Sequence, residues 1–224
     1  MQYIDSIIYS ERNFKDGLLK ILLGNALIFL LLSSTFERYE MENLFFHLMI
    51  EHLLFLVVGF LFGSGSDSII RSFKSNQSIY GKNIIKFYSK YLAFNNLYNP
   101  FGLTTGLLFI FILFYWHFPS NFDQAIVNIN MHLFMHVSII FSGILLYSSF
   151  KMISRIQSLV FILSIDKIMG ILGFFLADGD TMVYQTYPLS VQMTSGFFII
   201  SMMFIIDLIC IMLILLTYFK SSNI

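Results

Sequence analysis

The five histidines of this 224-residue chain are its strongest candidates for chemistry, because they lie in runs that are otherwise almost wholly apolar. His132 and His136 stand four residues apart, which places both imidazoles on one face of a helix. Imidazole nitrogen binds copper, zinc, iron and nickel, and methionine sulfur, as at Met131 and Met135, adds a preference for Cu(I). The pair therefore predicts a metal site in which a second helix supplies further ligands.

A second apolar run carries His47, Glu51 and His52. His47 and Glu51 share a helical face, whereas His52 is turned by about 140° from His47 at about 100° per residue. These two histidines therefore need not bind the same ion. His117 stands beside Trp116, where amphipathic rings are expected at a membrane interface, so a structural role is favoured for it.

The composition is that of an integral membrane protein. Hydrophobic residues make up 57% of the chain and charged residues only 12%, whereas a soluble domain has about 25% charged residues. The net charge of zero disfavours nucleic acid as a partner. The single cysteine, Cys210, excludes an internal disulfide and a thiolate-rich metal cluster. The N-terminal residues lack the pattern of a cleaved signal peptide, so the first apolar span is expected to stay attached.

Six apolar stretches are long enough to cross a hydrocarbon core of about 30 Å as helices. The predicted fold class is therefore all-α, a polytopic membrane helix bundle that forms a single domain over residues 1–224. Lys82, Lys86 and Lys90 recur at every fourth residue of segment 79–95, which predicts an interfacial amphipathic helix on the cytoplasmic side. The predicted spans cover residues 17–34, 43–63, 101–118, 128–150, 156–178 and 188–218.

The distribution of lysine and arginine predicts the orientation of these spans. Eleven basic residues fall at one end of the spans, Arg38 alone falls at the other end, and Lys167 lies within the fifth span. Both termini are therefore predicted to be cytoplasmic, and all five histidines fall in the extracytoplasmic half. The eleven residues are Arg12, Lys15, Lys20, Arg71, Lys74, Lys82, Lys86, Lys90, Lys151, Arg155 and Lys220.

Two acidic residues lie deeper in the predicted spans. Asp166 is near the middle of the fifth span, and Asp207 is in the inner third of the sixth. Ionisable residues inside a membrane are rare and are often functional. A structural hydrogen bond to a neighbouring helix is favoured for both carboxylates, with a proton relay as the alternative.

Two stretches, EHLLFLVVG and MHVSIIFSG, have the same histidine and glycine positions. His52 precedes Gly59 by seven residues, and His136 precedes Gly143 by the same interval. A weak internal duplication would place the two histidines at equal depth on facing helices. Glycines at matching positions would let those helices approach closely.

The run YWHFPSNFDQAIVNINMHLFMHVSIIFSGILL resembles the signature of CtaG-type membrane proteins, a family of cytochrome c oxidase assembly factors. That signature is W-H-x-P, then F/Y-D-x-A, then H-x-x-x-H and an apolar span with a glycine. HLMIEHLLFLVVGFLFG is similar to the family's other histidine-bearing helix, and QMTSGFFIISMM to its Q-x-x-x-G-x-x-M element through Gln192 and Gly196. The residues that match the signature are Trp116, His117, Pro119, Phe122, Asp123, Ala125, His132, His136 and Gly143.

The resemblance implies a role in assembling haem–copper oxidases through copper handling on the outer face. The sequence departs from the family's pattern in the spacing of His47 and His52, in having Met135 where the family often has an acid, and in its six predicted spans instead of seven. These departures leave the ligand set and the client protein as open expectations.

Three functions remain open at this stage. The favoured one is a copper-binding assembly or chaperone protein in the cell membrane, surrounded by lipid. Its partners would be subunits of a membrane oxidase or another copper enzyme and cupredoxin-like proteins on the outer face. The second is a haem b electron-transfer subunit with axial ligands such as His52 and His136. The third is an accessory subunit of a larger copper oxidase or monooxygenase.

No phosphate-binding loop or nucleophile elbow is present in the sequence, so no catalytic residue is predicted. The predicted metal ligands are His132, His136, His52 and His47. The predicted secondary residues are Glu51, Met135, Met193, His117 and Gln192, and Asp166 and Asp207 are the structural or relay residues.

Overall fold

The computed structural model describes residues 2–73 and 79–222, with side chains described for residues 11–73 and 81–216. The side chains of Lys74 and Lys220, which enter the charge distribution, and the last two residues of the sixth predicted span lie outside these ranges. The described part of the chain contains nine α-helices. They are α1 (Gln2–Leu31), α2 (Ser34–Glu42), α3 (His52–Ser72), α4 (Ile79–Tyr98), α5 (Leu103–His117), α6 (Pro119–Val127), α7 (Ile129–Phe150), α8 (Arg155–Asp178) and α9 (Leu189–Ser222).

The predicted all-α polytopic membrane bundle is confirmed. Five helical stretches in the described residues are long and apolar enough to cross a membrane: Phe46–Ser72, Pro100–His117, Ile129–Phe150, Arg155–Asp178 and Leu189–Leu216. They coincide with the second to sixth predicted spans within a few residues, except that the second continues to Ser72.

The first predicted span, 17–34, differs from the structure at its end. Helix α1 ends at Leu31, and the chain bends by 62° before α2 begins at Ser34. The polar run Ser33–Ser34–Thr35 interrupts the apolar pattern at this bend, and serine is a favoured residue for starting a new helix. Because of the bend, α2 does not continue along the axis of α1. Glu40 lies on α2, so its position depends on this bend.

Several helix ends follow directly from the local sequence. The Asn43 side chain accepts the Phe46 backbone N–H at 3.0 Å, which starts the helical run toward α3. Ser154 and Gln157 form a reciprocal capping box at the start of α8. Gly179 ends α8 in the left-handed conformation at φ 73°, which glycine adopts without steric cost.

The chain divides into two compact units, and helices such as α3 and α7 contribute residues to both. The first unit comprises Met1–Ser33, Leu54–Ile112 and Val137–Met152. The second comprises Ser34–Leu53, Leu113–His136 and Ile153–Ile224.

Close helix packing in the first unit depends on two glycines. A Cβ atom added to Gly59 on α3 would clash with the Ile140 carbonyl oxygen of α7 and would lie 2.9 Å from Gly143 Cα. A Cβ atom added to Gly143 would in turn clash with the Leu56 carbonyl oxygen. The two backbones are therefore in direct contact, as the matching positions of these glycines predict.

A buried carboxylate organises the polar contacts of the first unit. Asp67 accepts hydrogen bonds from Lys151 at 2.6 Å, from Tyr147 at 2.8 Å and from the Tyr88 hydroxyl. Arg71 forms an ion pair with the same carboxylate at 2.7 Å. Asp67 therefore ties α3, α4 and α7 together within this unit.

Helix α4 covers the segment that the sequence predicts to be helical, but Tyr91 of its apolar side is 45% exposed. Lys82, Lys86 and Lys90 are exposed, while Tyr88 and Asn95 are buried. The helical prediction for residues 79–95 is therefore matched by α4, and its placement at a membrane surface stays a prediction.

Helices α8 and α9 pack tightly against each other in the second unit. A Cβ atom on Gly196 would clash with the backbone of Ala177, so the two helices touch at small residues. The Lys167 ammonium group contacts the Asp207 carboxylate across this pair. Asp166 is buried at 6% exposure, and one of its carboxylate oxygens has no hydrogen-bond partner in the described residues.

Candidate metal centre

The second unit gathers all five histidines together with two buried glutamates. Glu40 comes from α2, His47 and Glu51 from a π-helical segment (Phe46–Glu51), and His52 from the first residue of α3. Helix α7 supplies His132 and His136, and α5 supplies His117. Exposed fractions of 0 or 1% for Glu40, His47, Glu51 and His52 place this cluster in the protein interior.

The π-helical segment changes the relation between His47 and His52. In a π-helix the hydrogen bonds run from residue i to residue i+5, so residues five apart lie closer to one face than they do in an α-helix. The two imidazole centroids are accordingly 5.6 Å apart. This differs from the ordinary-helix expectation of about 140° between them, because that angle assumes 3.6 residues per turn throughout.

The first ligand group consists of Glu40, His47, His132 and His136. One nitrogen or oxygen from each lies within 4.8 Å of the corresponding atoms of the other three. His132 Nε2 lies 3.1 Å from Glu40 Oε1, and the rings of His132 and His136 are 4.3 Å apart between centroids. The predicted pairing of these two histidines on α7 is therefore present.

The second ligand group consists of His47, Glu51 and His52, again with ligand atoms within 4.8 Å of one another. Glu51 Oε2 lies 3.5 Å from His47 Nε2, and Glu51 Oε1 lies 3.1 Å from His136 Nε2. Neither oxygen of Glu51 is in a hydrogen bond, nor is His47 Nε2, within the described side chains. Buried polar atoms normally have partners, and leaving them without one costs about 1–3 kcal/mol each. Lone pairs arranged in this way fit a bound cation.

Tyr187 determines which nitrogen of His47 faces the cluster. The Tyr187 hydroxyl donates to the Glu40 backbone carbonyl at 3.0 Å, so its single hydrogen is committed there. His47 Nδ1, at 3.2 Å from the same oxygen, must therefore be the donor in that contact. The neutral imidazole then keeps its lone pair on Nε2, which points at Glu51. Such outer partners orient the histidine ligands of metal sites.

His117 has a similar relation to His52. Its Nδ1 lies 2.6 Å from the Leu113 carbonyl, while its Nε2 lies 3.2 Å from the Leu48 carbonyl and 3.4 Å from His52 Nδ1. Both nitrogens of His117 face backbone carbonyls, which only accept, and these contacts hold its ring beside His52 Nδ1. His117 is in neither ligand group, and its position is that of an orienting residue.

The loop between α8 and α9 is held by Gln192. The amide nitrogen of Gln192 donates to the carbonyls of Tyr184 and Tyr187, both at 2.7 Å. Its amide oxygen accepts from the backbone N–H groups of Val183 at 2.9 Å and Tyr184 at 3.0 Å. These four bonds use the full capacity of the side chain, so the structure gives Gln192, predicted as a secondary metal residue, the role of a loop brace.

The motif residues Phe122 and Asp123 support the site from α6. Asp123 accepts from the backbone N–H groups of Gln185 at 2.9 Å and Thr186 at 3.1 Å, and from the Thr186 hydroxyl at 2.7 Å. Phe122 is fully buried, with its ring centroid 4.9 Å from that of His47. The F-D-x-A element thus packs against one ligand and anchors the loop that carries Tyr187.

Both tyrosines of this loop remain hydrogen-bond donors over the physiological pH range. Burial raises the pKa of Tyr184 and of Tyr187 well above the usual value of about 10. Tyr184 donates its hydroxyl proton to the His117 carbonyl at 2.9 Å. The two side chains therefore fix the backbone near Glu40 and His117 without carrying charge.

The two methionines predicted as secondary residues, Met135 and Met193, lie in different surroundings. Met135 is fully buried on α7, whereas Met193 packs against Gly179, where a Cβ atom would meet its sulfur at 2.8 Å. Glu40 belongs to the cluster although the sequence analysis does not single it out. An acid seven residues before His47, on the edge of an apolar span, was the available signal. The donor set of imidazole nitrogens and carboxylate oxygens suits copper, zinc, iron or nickel.

A family model described as the cytochrome c oxidase caa3 assembly factor (CtaG) matches residues 20–221. The chain belongs to this family, as the motif in residues 115–143 indicates. Neither a curated protein nor a solved structure matches the chain significantly. Family membership and several apolar helices identify a membrane protein of an assembly-factor family, and its buried histidine–glutamate cluster is compatible with metal binding.

Proposed function

We propose that this protein binds copper at the histidine–glutamate cluster and supplies it during assembly of a haem–copper oxidase or another membrane copper enzyme. One observation carries the proposal. Buried imidazole nitrogens and carboxylate oxygens converge within 4.8 Å of one another while His47 Nε2 and both oxygens of Glu51 make no hydrogen bond in the described structure. The family description supplies the oxidase-assembly context.

The chain's own residues supply both affinity and charge balance. Imidazole nitrogens of His47, His132 and His136 would supply lone pairs to the ion, and Glu40 and Glu51 would offset the charge of a buried cation. Tyr187 and His117 orient two of the imidazoles from outside the cluster. The role is that of a non-catalytic metal carrier.

The partners follow from the predicted orientation. The distribution of basic residues supports an orientation with both termini in the cytoplasm and the cluster on the extracytoplasmic side of the cell membrane. Copper would then pass to an oxidase subunit or a cupredoxin-like protein on that face, while lipid surrounds the spans.

The haem b alternative fits the cluster less well. Its axial ligand His136 has a carboxylate oxygen of Glu51 at 3.1 Å from Nε2, where a porphyrin iron would have to be. The accessory-subunit alternative requires neither copper nor haem on this chain, so the same experiment addresses both alternatives.

The test is copper loading of the full-length protein purified in detergent. Cu(I) is offered under reducing conditions, unbound metal is removed, and elemental analysis and a visible spectrum are recorded. We expect stoichiometric copper and no haem bands, with copper lost from a His47→Ala, His132→Ala, His136→Ala triple variant. Met193→Leu is the matched control and should retain copper. Sharp haem bands would support the cytochrome function, and absence of both groups would support the accessory subunit.

A further inference from the structure

We infer that the two ligand groups are alternative positions for a single metal ion, joined through His47, so that the site contains its own transfer step. This inference rests on the proposed function. The entry group is Glu40, His47, His132 and His136, and the deep group is His47, Glu51 and His52.

His47 is the only residue that the two groups share. Its Nδ1 proton is committed to Tyr187, because the Tyr187 hydroxyl itself donates to the Glu40 carbonyl. Only the Nε2 lone pair remains, and one lone pair binds one ion. The two groups therefore cannot both be filled with His47 as a ligand in each.

The six ligand residues do not form one coordination sphere. Ligand atoms of one ion at about 2.0–2.2 Å must lie within about 4.4 Å of one another. Within the described residues, the ligand atoms fall into two overlapping sets rather than one. One ion that occupies either position in turn would use all six ligand residues while needing only one lone pair from His47.

Glu51 is placed to accompany the ion between the positions. Its Oε1 faces His136 of the entry group at 3.1 Å, and its Oε2 faces His47 at 3.5 Å. The carboxylate therefore lies close enough to the ligands of both positions to accompany an ion at either one.

The difference in burial indicates the direction in which the ion would move between the two positions. The His132 side chain retains 12% exposure, whereas Glu51 and His52 retain at most 1%. The entry group therefore receives the ion from solvent or a donor, and the deep group holds it away from water.

The experiment is an anaerobic Cu(I) titration of the full chain against a chromophoric chelator, with the copper-to-protein ratio measured by elemental analysis. His132→Ala removes an entry ligand, His52→Ala a deep ligand and His47→Ala the shared ligand. We expect one copper per wild-type chain. Both of the first two variants should keep one copper. The affinity should fall by about 10-fold or more in His52→Ala, which removes a ligand of the position that holds the ion, and should stay close to the wild-type value in His132→Ala. His47→Ala should lose more than the roughly 100-fold that an outer partner can cost.

Size-exclusion profiles and thermal unfolding establish that each variant is folded. If His47→Ala does not fold, Tyr187→Phe is the substitute variant. It removes the partner of His47 Nδ1 and keeps the His47 imidazole in place. Two coppers in the wild type, with one lost in each of His132→Ala and His52→Ala, would overturn the inference and leave the proposed function standing. An unchanged affinity in His52→Ala would also overturn it. A wild type that binds no copper would overturn the proposed function and this inference together.

Discussion

The Tyr187 hydroxyl lies 3.2 Å from His47 Nδ1 and donates its own proton to the Glu40 carbonyl at 3.0 Å. One phenol thus connects the side chain of one candidate ligand with the backbone of another. Because the loop carrying Tyr187 is fixed by Gln192 and Asp123, the tautomer of His47 depends on residues outside the cluster.

Replacing this phenol should weaken the site without removing a ligand. Tyr187→Phe leaves the His47 Nδ1 proton without a partner, at a cost of about 1–3 kcal/mol in stability. The Glu40 carbonyl keeps its other donor, the Asn43 backbone N–H at 3.2 Å. We expect copper affinity to fall by about 10–100-fold, the range typical of outer partners of metal ligands. Chelator competition measures the affinity, and Tyr91→Phe, at a site 45% exposed, is the control. An affinity equal to that of the wild type would show that Tyr187 does not orient His47.

Asp123 should control the mobility of the loop between α8 and α9. Asp123→Ala removes the acceptor of the Gln185 and Thr186 amides, and hydrogen bonds to a charged group contribute about 1.5–3 kcal/mol. Hydrogen exchange read by mass spectrometry should therefore become faster in the peptide that contains both residues.

The control for that measurement is Asp180→Ala, which changes an exposed carboxylate near the start of the same loop. It should leave the exchange of Gln185 and Thr186 unchanged. Equal rates of hydrogen exchange at Gln185 and Thr186 in the two variants would contradict the anchoring role of Asp123.

The sequence predicts part of this site and not the rest, for reasons of local geometry. His132 and His136 meet on one face because α7 is a regular helix, so the spacing of four is sufficient to pair them. His47 and His52 meet because of a π-helical segment, whose extra residue per turn is not visible in the apolar pattern. Glu40 reaches the cluster from α2, beyond a 62° bend that no hydropathy profile specifies.

Packing in the first unit should be sensitive to a side chain at Gly59. Gly59→Val places atoms against the Ile140 backbone, and overpacking of this kind costs about 1–3 kcal/mol or more because a backbone cannot yield as a side chain can. Thermal unfolding in detergent should show a lower midpoint. Val57→Leu on the same helix, at 39% exposure, should leave the midpoint unchanged. A Gly59→Val midpoint equal to that of the wild type would mean that α3 and α7 are not in backbone contact.

The carboxylate of Asp67 should be a second determinant of stability in the first unit. Asp67→Asn leaves Lys151 and Arg71 side by side without their counter-charge. Fully buried pairs lose about 3–5 kcal/mol when one partner is removed. Because both cations are partly exposed, we expect about 1–3 kcal/mol here, the range for leaving a buried group unsatisfied.

Denaturant unfolding monitored by Trp116 fluorescence measures this loss. Asp16→Asn is the matched control, because Asp16 forms an exposed pair with Lys20, and such pairs contribute about 0–1 kcal/mol. Equal losses in the two variants would show that the Asp67 contacts behave as surface contacts.

The most direct test of copper binding by the cluster is X-ray absorption at the copper edge on the loaded full-length protein. Binding by His47, His132, His136 and the two glutamates predicts a first shell of nitrogen and oxygen with the outer-shell scattering of imidazole. A triple variant, His47→Ala, His132→Ala, His136→Ala, should retain no copper that gives this signal. A first shell dominated by sulfur, or a chain that retains no copper after loading, would contradict the assignment of this cluster as the copper site.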